Sequence, residues 1–139
     1  MDPQDMKRKE LLETSKTVAM VGLSPNEEKA SNLVAKYLKE RGYRVIPVNP
    51  GYDEILGEKS YKSVSEIPEK VDVVDIFMRA ENVVPVVQEA VQIKPRAIWL
   101  QLGIANDEAK KIAEENGITF VQDACMKQEH TRLIEPGAK

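Results

Sequence analysis

Cysteine and histidine each occur once in this chain, as Cys125 and His130, and aromatic residues make up only 5% of it. One cysteine cannot close an internal disulfide, so a reducing compartment, the cytosol, is the natural setting. One cysteine with one histidine cannot complete a structural zinc site either. Charge of one sign is also lacking, since 20 basic and 23 acidic side chains leave a net charge of -3. That excludes a broad positive field for nucleic acid or an anionic membrane surface, but not a local basic pocket. No apolar run approaches the roughly 20 residues that span a bilayer. Residues 1–10 hold no apolar core of a signal peptide.

What is present is 42% hydrophobic and 31% charged residues in 139, the balance of one folded domain. A chain of this length buries roughly two-thirds of its unfolded surface, so its core needs no staples. Residues 5–14 predict a short leading helix. From there the pattern alternates. Thr17-Val18-Ala19-Met20-Val21 is a short β-branched run ending at a glycine, which predicts a buried strand. Residues 27–41 carry Ala30, Leu33, Val34, Tyr37 and Leu38 at spacings of three and four, an amphipathic helix closed by Gly42. Arg44–Val48 is a second strand, whose Pro47 argues for a position where not every backbone NH must pair. A long connection over 49–70 follows, with short extended pieces around Ile55-Leu56 and a helical turn near Ser65. Further strands are predicted at Val71–Phe77, Ala97–Gln101 and 118–121, with helices at 82–93, 106–116 and 123–134.

Strands alternating with helices through short turns predict right-handed crossovers and a parallel sheet. The expectation is one α/β domain over 1–139. It is a three-layer, Rossmann-like, doubly wound sheet of about five strands in the order 3-2-1-4-5. No repeat or linker interrupts it.

In such sheets ligands bind beyond the C-terminal strand ends, near the point where strand order reverses. Four turns lie there: Gly22-Leu23-Ser24-Pro25-Asn26, Asn49-Pro50-Gly51, Phe77-Met78-Arg79 and Gln101-Leu102-Gly103. Gly22 permits close approach to the backbone, Ser24 offers a hydroxyl near a helix N-terminus, and Lys29 could reach a phosphate. The same residues equally fit a tight-turn glycine, an N-cap serine and a solvated lysine. The dinucleotide fingerprint G-x-G-x-x-G is missing beyond its first glycine, and Asn49-Pro50 stands where a ribose-binding acid belongs. NAD and NADP are disfavoured. Arg79 could fork two hydrogen bonds to phosphate, or be an ordinary exposed arginine. Trp99 is expected between sheet and helix, and Met20, Met78 and Met126 as core or pocket filler. Cys125 and His130 are five residues apart on one predicted helix, which points them to different faces.

At these turns the sequence resembles the small stand-alone CoA-binding proteins, whose domain is similar to the CoA-binding domain of the succinyl-CoA synthetase α subunit. The matching stretches include Val21–Asn26, Gly42–Pro50, Ile55–Glu58, Val71–Phe77, Ile98–Gly103 and Asp123–His130. The resemblance implies coenzyme A across the strand ends. Gly22, Leu23 and Ser24 would hold the pyrophosphate with Lys29 nearby, and Asn49 and Pro50 would border the adenosine. Phe77, Met78, Arg79 and Val83 would line the third turn, and Gln101, Leu102 and Gly103 would face the pantetheine arm. Two departures stand out. The family often has two arginines after the phenylalanine, where this chain has Met78-Arg79, and arginine is common where it has Lys29.

The functional expectation is binding of CoA or an acyl-CoA without catalysis. One alternative is a small CoA-dependent or nucleotide-linked enzyme using Cys125 or His130. The other is an interaction protein with a degenerate nucleotide pocket, for which Leu133 and Ile134, read as exposed on the last helix, would allow a homodimer.

Overall fold

A computed structural model describes residues 1–135. The chain opens with helix α1 (Pro3–Thr14), capped by the Asp2 carboxylate on the Asp5 amide. Strand β1 (Thr17–Val21) leads through a long turn into α2 (Ala30–Glu40), and β2 (Arg44–Val48) follows. A two-residue-a-side hairpin, β3 (Glu54–Ile55) with β4 (Glu58–Lys59), and a short 3-10 turn at Val64–Glu66 fill the next connection. Then come β5 (Val73–Ile76), α3 (Val83–Gln92), β6 (Ala97–Leu100), α4 (Asp107–Glu115), β7 (Thr119–Val121) and α5 (Met126–Ile134). Pro85 lies in the first turn of α3, where its missing NH costs nothing.

The five long strands form one parallel sheet in the order β2-β1-β5-β6-β7. The α/β doubly wound class is as the sequence predicts. The strand order is not. Counting the long strands only, it is 2-1-3-4-5 rather than 3-2-1-4-5, because β5 pairs with β1 and not with the far side of β2. The outer edge of β2 cannot take a full ladder, since Pro47 has no NH to offer there. That edge is closed instead by the Tyr61 segment, whose NH donates to the Pro47 carbonyl at 3.1 Å. The connection from β2 to β5 contains no α-helix, so nothing supports a crossover to the far side of β2. Strand direction of travel therefore reverses between β1 and β5.

Each face of the sheet carries its own core. Val18, Met20, Val73, Trp99 and Val121 pack under α1, α2 and α5, while Ala19, Val74, Ile76, Ile98 and Leu100 pack under α3 and α4. Trp99 is fully buried and satisfies its indole NH on the Ala124 carbonyl at 2.9 Å. Leu133, read as exposed, is 5% accessible. Met126, His130 and Leu133 recur at helical spacing and form the buried stripe of α5, so that helix faces the core and α1. Ile134 packs partly buried against the same core. Two helices begin later than predicted. Asn26 through Lys29 form turns ahead of α2, and Asp123, at φ 54°, breaks the chain before Cys125 caps α5.

Candidate functional site

The turns after β1 and β5 meet at the point where the sheet reverses. Gly22 has φ 85°, donates its NH to the Val48 carbonyl, and faces Phe77 so closely that a Cβ would lie 2.2 Å from the Phe77 oxygen. Glycine is required there by the neighbouring turn, whether or not a ligand comes close. Leu23 is fully buried, backbone included, and its carbonyl accepts from Asn49 Nδ2 at 3.0 Å. Asn49 thus ties the first turn to the second, while its Oδ1 holds the Gly51 amide at 2.9 Å. Pro50 is exposed beside a shallow hollow that also holds Tyr52, Lys59, Tyr61 and Lys62.

Ser24 is not the N-cap of α2. Its Oγ accepts from the Asn26 amide, its own NH donates to Ser31 Oγ at 3.0 Å, and its carbonyl takes Asn32 Nδ2 at 2.9 Å. The N-cap is Lys29, exposed and making no side-chain cap bond. The first turn of α2 carries no acidic residue. Among the described residues the Ala30 and Ser31 amides donate to nothing, which leaves the positive end of α2 open to an anion.

Beside this helix start lies a cleft of about 700 Å³ between α2 and α5. Its walls are largely apolar, from Ala30, Val34, Phe77, Met78, Leu102 and Ile104. Its polar groups are Arg79, Gln101, Cys125 and Gln128. Arg79 is exposed and pairs with no carboxylate among the described residues. Leu102 is 60% exposed at the cleft rim, a large apolar side chain with nothing to cover it. The Gly103 amide is taken by Asp123 Oδ1 at 2.7 Å, which braces the fourth turn and removes that donor from the site. Val83 does not reach the cleft. It is the first residue of α3 and fully buried in the core on the other face of the sheet.

Cys125 and His130 are kept apart. Cys125 lines the cleft as the residue before α5, whereas His130 lines a separate hollow with Leu12, Tyr43 and Ile134 at the other end of the helix. There His130 Nδ1 meets the Tyr37 hydroxyl at 2.9 Å, and the ring stands edge-on to Tyr37 and Tyr43. Burial holds the imidazole below its ordinary pKa, with Glu135 opposing and Arg41 assisting. It is a neutral, packed histidine, and no nucleophile–base pair forms.

Sequence reasoning passed over Asp75. This carboxyl is completely buried on β5, and its Oδ1 accepts from Gln101 Nε2 at 2.6 Å. Its Oδ2 has no partner among the described residues. Burial pushes it up to about 7, the Gln101 hydrogen bond pulling the other way. The signal available was an acid inside a run read as a strand buried on both faces. Tyr52, Lys59, Tyr61 and Lys62 were missed because the 49–70 connection has no periodicity to place them.

A family model described as a CoA binding domain matches residues 16–131. The chain belongs to that family. Among relatives of this CoA-binding-domain protein is the uncharacterized protein YneT of Bacillus subtilis, 38% identical over 93% of this chain and 96% of its own. An ADP-forming acetate–CoA ligase of Archaeoglobus fulgidus is 35% identical over 85% of this chain, which spans only 19% of that enzyme. A solved structure of a hypothetical protein from Pyrococcus horikoshii superposes with a TM-score of 0.91 at 43% identity, over 94% of this chain and 92% of that one. The domain therefore occurs both by itself and as a small part of much longer ligases.

Proposed function

We propose that this protein binds coenzyme A or an acyl-CoA across the strand ends and performs no chemistry of its own. The observation that carries the reading is the apolar cleft of about 700 Å³ that runs on from the open N-terminus of α2 at the sheet's reversal point. A ligand with a charged pyrophosphate, a flexible arm of methyl and amide groups, and a terminal sulfur fits such a surface. The pyrophosphate belongs at Gly22 to Ser24 and the first turn of α2, with Lys29 and Arg79 supplying charge. The adenosine end belongs by Asn49 and Pro50, over the hollow of Tyr52, Lys59 and Lys62. The arm would lie along Phe77, Met78 and Leu102 toward Gln101.

The absence of catalysis is supported by the separation of Cys125 from His130. The lone cysteine suits the reducing cytosol. Isothermal calorimetry with CoA, ADP and NAD tests the reading. Heat is expected from CoA, less from ADP and none from NAD. No heat from CoA with protein well above micromolar overturns it. One observation favours a second reading, a small CoA-dependent enzyme: Cys125 opens onto the cleft at a helix start. Turnover of acetyl-CoA that disappears in Cys125→Ser would establish that reading instead.

A further inference from the structure

Behind the cleft wall stands a pair that ligand holding alone does not require. Asp75 sits in mid-sheet between Met20 of β1 and Trp99 of β6, and its one hydrogen bond is from Gln101. Gln101 is 4% exposed and lines the cleft. Its Oε1 receives no hydrogen bond from the described residues, yet it is not among the sealed-off polar atoms, so it opens on the cleft.

Among the described residues no charge compensates the acid. On α2, Lys36 pairs with Glu27, Lys39 pairs with Glu58, and Tyr37 is bonded to His130 of α5. On α5, Glu129 is held by Arg8 and Arg132, and Lys127 lies over the Tyr37 ring. Just before β5, Asp72 accepts the Lys16 and Thr17 amides. Arg79 and Cys125 line the same cleft as Gln101, and neither is bonded to Asp75. The state of Asp75 is thus communicated through Gln101.

A carboxylate can only accept, so it demands the amide NH₂ and leaves Oε1 facing the cleft. A carboxylic acid has an OH to donate. It is best met by Oε1, and the amide then turns over and presents its NH₂ to the cleft. We infer that Asp75 is a positioning residue that sets, through Gln101, whether the cleft prefers the free thiol or the thioester form of the coenzyme. The inference rests on the CoA reading. With Asp75 ionised, Gln101 Oε1 accepts from the free thiol. With Asp75 protonated, Nε2 donates to a thioester carbonyl. Burial places the crossover near neutral pH, where both forms are populated.

The test compares CoA with acetyl-CoA by calorimetry at pH 5.5 and 8.5, in the native protein and in Asp75→Asn. The phosphates titrate alike in both ligands, so the ratio of their affinities cancels them. The preference for CoA over acetyl-CoA is expected to rise about fivefold with pH in the native protein, the worth of one hydrogen bond. It is expected to be flat in Asp75→Asn. A flat ratio in the native protein, or the same slope in the variant, overturns the inference. A second measurement needs no ligand. The Gln101 side-chain amide, followed by NMR in the free protein, is expected to shift with the same midpoint as the Asp75 carboxyl carbon. If neither ligand binds, the CoA reading falls, and a Gln101 amide indifferent to Asp75 refutes the switch separately.

Discussion

At the N-terminal end of the sheet several charged and polar groups are answered by the protein itself, whereas at the C-terminal end several groups beside the cleft are not. Arg44, at the start of β2, bridges Glu58 at 3.1 Å and Glu69 at 2.6 Å, and its guanidinium holds the Glu69 carboxyl below its ordinary value. Arg41 pairs with Glu135, Asp72 closes the start of β1, and the Tyr43 hydroxyl donates to the Leu12 carbonyl. At the other end Lys29 and Arg79 find no carboxylate among the described residues, two amides of α2 donate to nothing, and Gln101 keeps an open acceptor. Both ends belong to the same strands, so the difference is one of use. Groups satisfied internally hold the fold, and groups left unsatisfied beside an apolar cleft are those a ligand can complete.

The largest expected effect comes from overfilling the reversal point. Gly22→Ala brings a Cβ against the Phe77 carbonyl at φ 85°, adding backbone strain to a hard clash. A loss of about 5 kcal/mol is expected in urea unfolding, together with loss of CoA binding. Gly103→Ala is the control, because that residue has the same φ of 85° and nothing within 4 Å of the added atom. It should lose about 1 kcal/mol, the cost of strain alone. Equal losses at the two positions would mean that the turns after β1 and β5 do not meet as described.

Asp75 breaks the pattern from inside, as a half-satisfied acid that no solvent reaches. The unfolded chain releases this proton near 3.8 and the folded chain near 7. Between those values the native state holds more protons. Stability is therefore fully present below about pH 4 and falls as pH rises to about 7. Asp75→Asn removes that slope. Its gain over the native chain should grow from almost nothing at about pH 4 to as much as about 4 kcal/mol at about pH 8. Thermal melts across that range check this, and parallel curves for the two proteins would refute a perturbed Asp75.

Much of the architecture could be read locally, and the exceptions share a cause. The β-branched run at β1 and the spacing of Val34, Tyr37 and Leu38 on α2 are properties of consecutive residues, and they placed β1 at its observed bounds and α2 correctly except for its start, which comes at Ala30 rather than at 27. The side of β1 on which β5 docks is a non-local choice, signalled only by Pro47 and by the lack of a helix over 49–72. Leu23 and Val83 look like turn residues, but the chain dips into the two cores at those points. Cys125 could be assigned to the cleft only once α5 was seen to begin at Met126, since a helix from 123 would have rotated it elsewhere. Asp75 was hidden for a different reason. A central parallel strand is apolar on both faces, so no alternation marks the acid as facing a site.

The smallest effects give the sharpest version of the contrast, because they set two arginines against each other. Arg79→Ala should weaken CoA binding about tenfold, the worth of one charge-assisted hydrogen bond, and leave urea unfolding unchanged, since Arg79 pairs with no carboxylate among the described residues. Arg44→Ala should do the reverse. Arg44 is exposed and its partners are only half-buried, so losing them should cost no more than about 1 kcal/mol of stability and nothing in affinity. High salt should screen both effects, but in different assays: the Arg79 difference shrinks in calorimetry, the Arg44 difference in unfolding. If Arg44→Ala weakened binding as much as Arg79→Ala, the two ends of the sheet would not be divided between structure and ligand at all.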